Sequence, residues 1–123
     1  MSDQDNSQLT WEQRLFTVIL HAGNARSKAI EAAELAEEGK FDQVEEALVE
    51  AETEQLEAHK MEADIIQMEA SGEEVPFSVL LMHAMDLLLL SWAEIDHTRQ
   101  LTRLYQRVEN LEKELKRWEP SQK

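Results

Sequence analysis

Residues 79–90 constrain the fold more than any other part of the chain. This stretch contains ten apolar residues, and its two polar residues, His83 and Asp86, are three positions apart. On an α-helix this spacing places both side chains on one face, one turn apart. The stretch is too short and too interrupted to cross a bilayer. A helix that is apolar on every side needs more cover than a small monomer supplies, so we predict the inner helix of a self-associating bundle.

Composition predicts one all-α domain. The chain has 123 residues, 42% of them hydrophobic, with only three Gly and two Pro, and helix-forming residues dominate. A formal net charge of −14 argues against nucleic acid and against direct binding to an anionic membrane. The charge favours a solvated helical surface, with selection of a basic partner protein as the alternative. The polar N-terminus does not resemble a signal peptide, so we expect a cytoplasmic protein.

Local signals divide the chain into three helices. Thr10 and Gln13 have the spacing of a capping box, Gly39 and Gly72 are placed to end helices, and Ser78 is a suitable N-cap. The short first connection requires antiparallel neighbours, which predicts an antiparallel three-helix bundle. The predicted boundaries are a flexible N-terminus at 1–9, one domain at 10–118 with helices at about 10–38, 41–70 and 78–118, and a tail at 119–123.

Apolar spacing predicts which face of each helix is buried. In helix 1 the second half of this face is nearly all alanine, and we expect Gly23 to be tolerated because another backbone approaches it closely. For helix 2 the predicted buried face is Val44, Leu48, Ala51, Gln55, Ala58, Glu62, Ile65 and Ile66. In helix 3 the regular spacing of His97, Leu101, Leu104, Val108, Leu111 and Leu115 predicts a coiled-coil seam.

The four histidines are the main candidates for chemistry. His21 and His97 are interpreted as structural, and His59 as structural or as a supporting residue near the helix 3 site. Spacing alone leaves His83 open as a core residue, a metal ligand or a nucleophile. Glu94 and His97 form one Glu-x-x-His unit, but the second unit that a di-iron bundle requires is absent from the sequence. There is no cysteine and therefore no thiolate metal site.

Several short motifs, taken together and in order, resemble one family. The best single match is residues 80–87, Leu-Leu-Met-His-Ala-Met-Asp-Leu, which is similar to the family's His-Ala-Gln-Asp-His-Leu-Met. The other pieces are Gly23-Asn-Ala-Arg-Ser27, Glu31-Ala-Ala, Ala36-Glu-Glu-Gly-Lys-Phe41, Ala58-His59 and the segment at 66–73. These motifs resemble the lactose/cellobiose enzyme IIA family of the bacterial phosphoenolpyruvate-dependent sugar phosphotransferase system, over about residues 12–105.

This resemblance implies a function and a site. It implies a three-helix protomer that assembles through helix 3 into a homotrimer. It implies that His83 accepts a phosphoryl group from the carrier protein HPr and passes it to a sugar-specific enzyme IIB, for uptake of a lactose- or cellobiose-type disaccharide. Membrane contact would be indirect, through the permease enzyme IIC. It further implies that three copies of Asp86 surround one divalent cation, for which Mg²⁺ is the first expectation.

The sequence departs from the family motif at two positions. Met85 replaces the motif's glutamine and Leu87 replaces its second histidine. Neither position carries the phosphoryl group in the family, so the nucleophile is retained. We also expect a neighbouring group to orient the second ring nitrogen of His83. The alternative function is a non-catalytic helical assembly or regulatory protein, in which His83 is only packed.

Overall fold

A computed structural model of the protein describes residues 9–118. Three helices make up almost all of this range: α1 (Trp11–Glu37), α2 (Phe41–Ala70) and α3 (Val79–Trp118). Residues 9–118 contain no strand, so the prediction of an all-α three-helix fold is confirmed. Apart from Leu9, the predicted flexible N-terminus (1–9) and tail (119–123) lie outside the described residues.

Local hydrogen bonds explain where the helices begin and end. Thr10 Oγ1 accepts from the Gln13 backbone N–H at 3.2 Å, and Gln13 Oε1 accepts from the Thr10 N–H at 2.9 Å, which completes a capping box. At the ends of α1 and α2, Gly39 and Gly72 have φ of 80° and 92°, a left-handed conformation that glycine adopts without strain. Ser78 Oγ caps α3 by accepting from the backbone N–H of Leu81 at 3.1 Å.

Helix α1 holds the bundle together, because it packs extensively against both α2 and α3, which contact each other much less. Its buried face is rich in fully covered alanines, and these short side chains let the neighbouring helices approach closely. One core cluster joins Leu15 and Val18 to Leu88 of α3. A second cluster joins the alanines near the end of α1 to Leu48 of α2 and Ile95 of α3.

Two predictions about packing are wrong. Ile66 was expected on the buried face of α2 but is 59% exposed, and Met61 is buried in the core instead. Gly23 was expected to allow a close backbone approach, but a Cβ built there would meet nothing within 4 Å. The apolar spacing of α2 permitted either arrangement of its edge residues, and the packing of α2 against α1 and α3 decided between them.

Helix α3 has two apolar faces on different sides of the helix. One face is buried in the protomer and consists of Ala84, Leu88, Ser91, Ile95 and Thr98. The other faces solvent, and we call it the outer stripe: Leu90, His97, Leu101, Leu104, Val108, Leu111 and Leu115. The exposed fractions of its apolar members range from 38% at Leu101 to 67% at Leu115. Within residues 79–90, Val79, Met82, Leu89 and Leu90 are exposed, so the core of one protomer covers only part of this apolar stretch.

Helix α3 is also longer than its partners, with 40 residues against 27 and 30. At a rise of about 1.5 Å per residue it extends roughly 15–20 Å further than either. Its last residues, 110–118, are all exposed. Within residues 9–118, no helix combines the length and hydropathy that crossing a membrane requires.

Candidate functional site

His83 lies in the second turn of α3 and Asp86 lies one turn later, and both are exposed. Two residues on the opposite side of the same turns, Ala84 and Leu88, are buried in the core cluster with Leu15. Because these residues anchor the helix, the backbone beneath His83 and Asp86 is held firmly while their side chains face outward. The sequence prediction that the two polar residues share one side of this helix therefore agrees with their common exposure.

The imidazole of His83 has no hydrogen-bond partner and no ion pair within residues 9–118, and the carboxylate of Asp86 has none either. The group that was expected to orient the His83 ring is therefore not supplied by this part of the chain. The two positions that depart from the family motif are apolar and half-buried. Met85 and Leu87 pack against the core cluster around Leu15, so they help to fix the part of the helix that follows His83.

His21, by contrast, has a strong partner. Its Nδ1 lies 2.6 Å from Glu54 Oε2, and Asn24 Nδ2 donates to the same oxygen at 3.4 Å. The hydrogen bond from His21 is the main cause that lowers the pKa of the Glu54 carboxyl below its ordinary value. Sequence reasoning missed Glu54, because 33 residues separate it from His21 and no linear spacing relates the two.

His59 also has neighbours of its own, which do not include His83. Its ring centroid lies 5.2 Å from that of Trp92, tilted by 44°. Its Nδ1 is 3.3 Å from Glu62 Oε1, yet the two are not aligned for a hydrogen bond and this buried nitrogen has no other partner in the described range. Trp92 follows His83 by nine residues, which is two and a half turns of helix and the opposite side. The protomer therefore gives no support to the interpretation of His59 as an assistant to His83.

His97 lies on the outer stripe and is exposed. It lines a shallow groove together with Gln100, Leu101 and Leu104. Its imidazole has no hydrogen bond or ion pair within residues 9–118. Two of the four histidines, His83 and His97, thus present rings that are not occupied by other side chains of the protomer.

A single protomer offers no complete metal centre at Asp86. Residues 9–118 contain no group of three or more His, Cys, Asp or Glu residues placed to hold an ion. One exposed carboxylate supplies at most two oxygens, whereas Mg²⁺ takes six ligands and Ca²⁺ six to eight. The oxygen chemistry of Asp86 suits such an ion, but several copies of the chain would be needed to make the site.

Comparison with known proteins places these features in a family. Residues 13–106 match the model of the lactose/cellobiose-specific IIA subunit of the phosphotransferase system. A lactose-specific EIIA component from Lactococcus lactis subsp. lactis is 40% identical over 92 residues, which cover 75% of this chain and 88% of that protein. An oligo-β-mannoside-specific EIIA component from Bacillus subtilis (strain 168) is 36% identical over 105 residues, 85% of this chain and 96% of that protein.

The fold agrees with a solved relative. The crystal structure of the cellobiose-specific enzyme IIA from Bacillus anthracis superposes with a TM-score of 0.81 at 38% identity, covering 87% of this chain and 98% of that one. The resemblance inferred from the short motifs is therefore confirmed by sequence and by structure. This chain belongs to the lactose/cellobiose-specific IIA family, a phosphotransfer component of the bacterial sugar phosphotransferase system.

Proposed function

We propose that the protein is a phosphocarrier in which His83 accepts a phosphoryl group from the phosphohistidine of HPr and transfers it to a cysteine of a sugar-specific enzyme IIB. The transported sugar would be a lactose- or cellobiose-type disaccharide. The observation that carries this proposal is the free and exposed ring of His83 at the position of the family motif's first histidine. A nucleophile that serves two partner proteins in turn has to be accessible to both of them.

The chemistry is an exchange of the phosphoryl group between nucleophiles. In the first step a ring nitrogen of His83 attacks phosphorus, and the phosphorus–nitrogen bond to the HPr imidazole breaks. In the second step a cysteine thiolate attacks, a phosphorus–sulfur bond forms, and the His83 imidazole leaves. Neutral imidazole is a good nucleophile near pH 7. The transition state is loose, so catalysis consists mainly of positioning and of excluding water.

The fixed backbone under His83 supports positioning. Ala84 and Leu88 are 0% and 1% exposed, so the turn that carries His83 cannot easily shift. Met82 is 48% exposed beside it and adds an apolar surface that a docked partner would cover. Such a surface would exclude water from the phosphohistidine during transfer. No side chain of residues 9–118 orients the second ring nitrogen, so we assign that task to a partner protein or to another copy of the chain.

We further propose that three protomers assemble through the outer stripe of α3. This stripe leaves five leucines and one valine exposed along one face of a single helix. Contiguous exposed apolar surface of this kind marks an interaction site. The three- and four-residue steps from His97 to Leu115 match a parallel coiled coil, in which identical helices bury the same positions against each other.

Asp86 would complete a cation site in this trimer. It lies one turn beyond the end of the outer stripe that is nearer the start of α3. Three copies would therefore approach the threefold axis in the trimer. Carboxylates brought together and removed from water are costly unless they share a cation or hold protons. A hard ion such as Mg²⁺ fits three carboxylates and completes its shell with water. Its role would be assembly, because the phosphoryl chemistry described above is carried out by His83.

Phosphate uptake tests the proposed function directly. The protein is incubated with phosphoenolpyruvate, enzyme I and HPr, and the intact mass is measured. We expect a gain of one phosphoryl group per chain, its loss in His83→Gln, and its retention in His59→Gln and His97→Gln. Uptake that persists in His83→Gln would place the site elsewhere. No uptake from several cognate HPr proteins would favour the alternative, a non-catalytic helical assembly.

Elemental analysis tests the proposed cation. We expect about one Mg²⁺ per three chains in the purified protein, and a trimer that dissociates more readily in chelator. The variant Asp86→Asn should reduce this sensitivity to chelator. Asp86→Leu should also reduce it and, because no charge is left to bury, should assemble at least as tightly as the wild type. The proposed cation would be refuted by an ion-free protein whose thermal stability is the same with and without chelator.

A further inference from the structure

His97 is the first residue of a seam on α3 that is otherwise apolar. Counting in steps of seven residues from the start of this seam gives His97, Leu104 and Leu111. Residues at seven-residue spacing occupy the same position of a heptad, and each inserts into the seam of a coiled coil. The companion column, at Leu101, Val108 and Leu115, contains no polar residue. His97 is therefore the one polar side chain in the two columns of the seam over residues 97–115.

The protomer does not provide a partner for this imidazole. His97 is exposed and has no hydrogen bond or ion pair in the described part of the chain. Its groove contains the apolar side chains of Leu101 and Leu104 and one polar side chain, that of Gln100. In the proposed trimer this groove would close, and an unpaired imidazole would be removed from water. Burial of a polar group without a partner costs free energy, so His97 needs a partner that the trimer itself provides.

One charged pair beside the seam favours parallel and in-register association of the helices. In a parallel coiled coil, the residue at one flank of the seam faces the residue five positions later on the neighbouring helix. Arg107 and Glu112 are related in this way, since 112 − 107 = 5, and their charges are opposite. Both positions flank the columns around Val108 and Leu111. A parallel, in-register arrangement places each seam residue in one layer with its own copies.

Three copies of His97 would therefore share one layer around the axis. Leu101 and Leu104 follow His97 in the seam and would exclude bulk water on that side, whereas Glu94 lies one turn before His97. Three imidazole nitrogens that converge on an axis are the ligand set of three-histidine zinc sites, which keep a fourth position open for water. Imidazole suits Zn²⁺, Co²⁺, Ni²⁺ and Cu²⁺ rather than Mg²⁺ or Ca²⁺.

We propose that His97 forms a second metal site, in which one imidazole from each of three protomers binds a single Zn²⁺-class ion on the threefold axis. This proposal depends on the trimer proposed above, and a single chain cannot form the site. Gln100 is one turn from His97 in the same groove, and its amide oxygen is suited to accept a hydrogen bond from the ring N–H that is not bound to the metal. The site would fasten the C-terminal half of α3.

This site differs from the one proposed at Asp86. Eleven residues separate Asp86 from His97 (97 − 86 = 11), which is about three turns and roughly 16 Å along the helix. The two sites also differ in chemistry, because carboxylate oxygens select hard ions whereas imidazole nitrogens select transition metals. An ion added to the protein can therefore be assigned to one site or the other by its spectrum.

Cobalt binding measured on the full chain tests this proposal. Co²⁺ held by three nitrogens and one water is four-coordinate and absorbs strongly in the visible range, whereas six-coordinate Co²⁺ at oxygen ligands absorbs weakly. We expect the wild type to develop the strong absorption with an end point near one Co²⁺ per three chains, and Zn²⁺ to displace the Co²⁺. His97→Leu and His97→Gln should both lose the strong absorption, and the control His59→Gln should retain it.

Sedimentation and phosphate uptake on the same samples separate the possible failures. We expect His97→Leu to remain trimeric, because leucine completes the column, and to take up phosphate as the wild type does. A trimeric wild type without the strong absorption, or a His97→Leu variant that keeps it, would overturn the histidine site alone. A monomeric wild type, or a dimer with one ion per two chains, would overturn the trimer and the histidine site together. A wild type that takes up no phosphate would instead overturn the proposal that the protein is a phosphocarrier.

Discussion

Replacement of Leu104 by alanine is the sharpest test of the proposed assembly. Leu104 lies near the middle of the outer stripe and is 53% exposed in the protomer. Full burial of a leucine side chain contributes roughly 1.5–3 kcal/mol. About half of that remains to be gained on assembly, so the loss is about 0.8–1.5 kcal/mol per chain and about 2.4–4.5 kcal/mol per trimer. The trimer association constant should fall by about two to three orders of magnitude.

Leu56 supplies the matched control. It is 49% exposed, but it lies on α2 and outside the outer stripe. Leu56→Ala removes the same atoms from a similarly exposed site, so we expect the association constant to stay close to that of the wild type. Sedimentation equilibrium over a dilution series measures both variants, and circular dichroism checks that the helices are retained. The assignment of the stripe to the interface would be refuted if Leu104→Ala associates like the wild type, or if both variants weaken assembly equally.

Three further predictions concern the protomer. Gly23→Ala should raise the free energy of unfolding by about 0.5–1 kcal/mol, because alanine favours the helix and its methyl meets nothing within 4 Å; a lower urea midpoint would reveal a contact at Gly23 that one chain does not contain. Thr98→Val should lower the free energy of unfolding by about 0.5–1.5 kcal/mol, because the buried bond that Thr98 Oγ1 donates to Ala29 O at 3.1 Å is lost, and an unchanged urea midpoint would contradict this. Because the hydrogen bond with His21 lowers the pKa of Glu54 below 4.5, Glu54 contributes stability above pH 4.5 that is lost as the pH falls through its folded-state pKa. Glu54→Gln should therefore be less stable than the wild type at pH 7, and the difference in urea midpoint should shrink on acidification; a difference that grows instead would reverse the sign of this linkage.

The limits of the helices and the family motif could be inferred from the sequence because both depend on residues close together in the chain. The capping box joins Thr10 to Gln13 across three residues, and Gly39 and Gly72 end helices through their own backbone conformations. These effects act within one or two turns, so linear order is enough to predict them. The candidate nucleophile was likewise identified from the short segment around His83.

Tertiary structure decided which apolar side chains are covered and which polar groups meet. The spacing of α2 allowed Ile66 to be buried, but in the folded protomer Ile66 is exposed and Met61 is buried against α1 and α3 instead. The pairing of His21 with Glu54 joins helices α1 and α2 across 33 residues. The ring of His59 contacts Trp92 rather than His83. On α3, apolar residues occur on every side of the helix, so their spacing did not predict which side is buried in the protomer. The packing of α1 and α2 determined that Ala84 and Leu88 are buried in the protomer while Leu104 and Leu111 face solvent, because a helix can bury only the side that its neighbours reach.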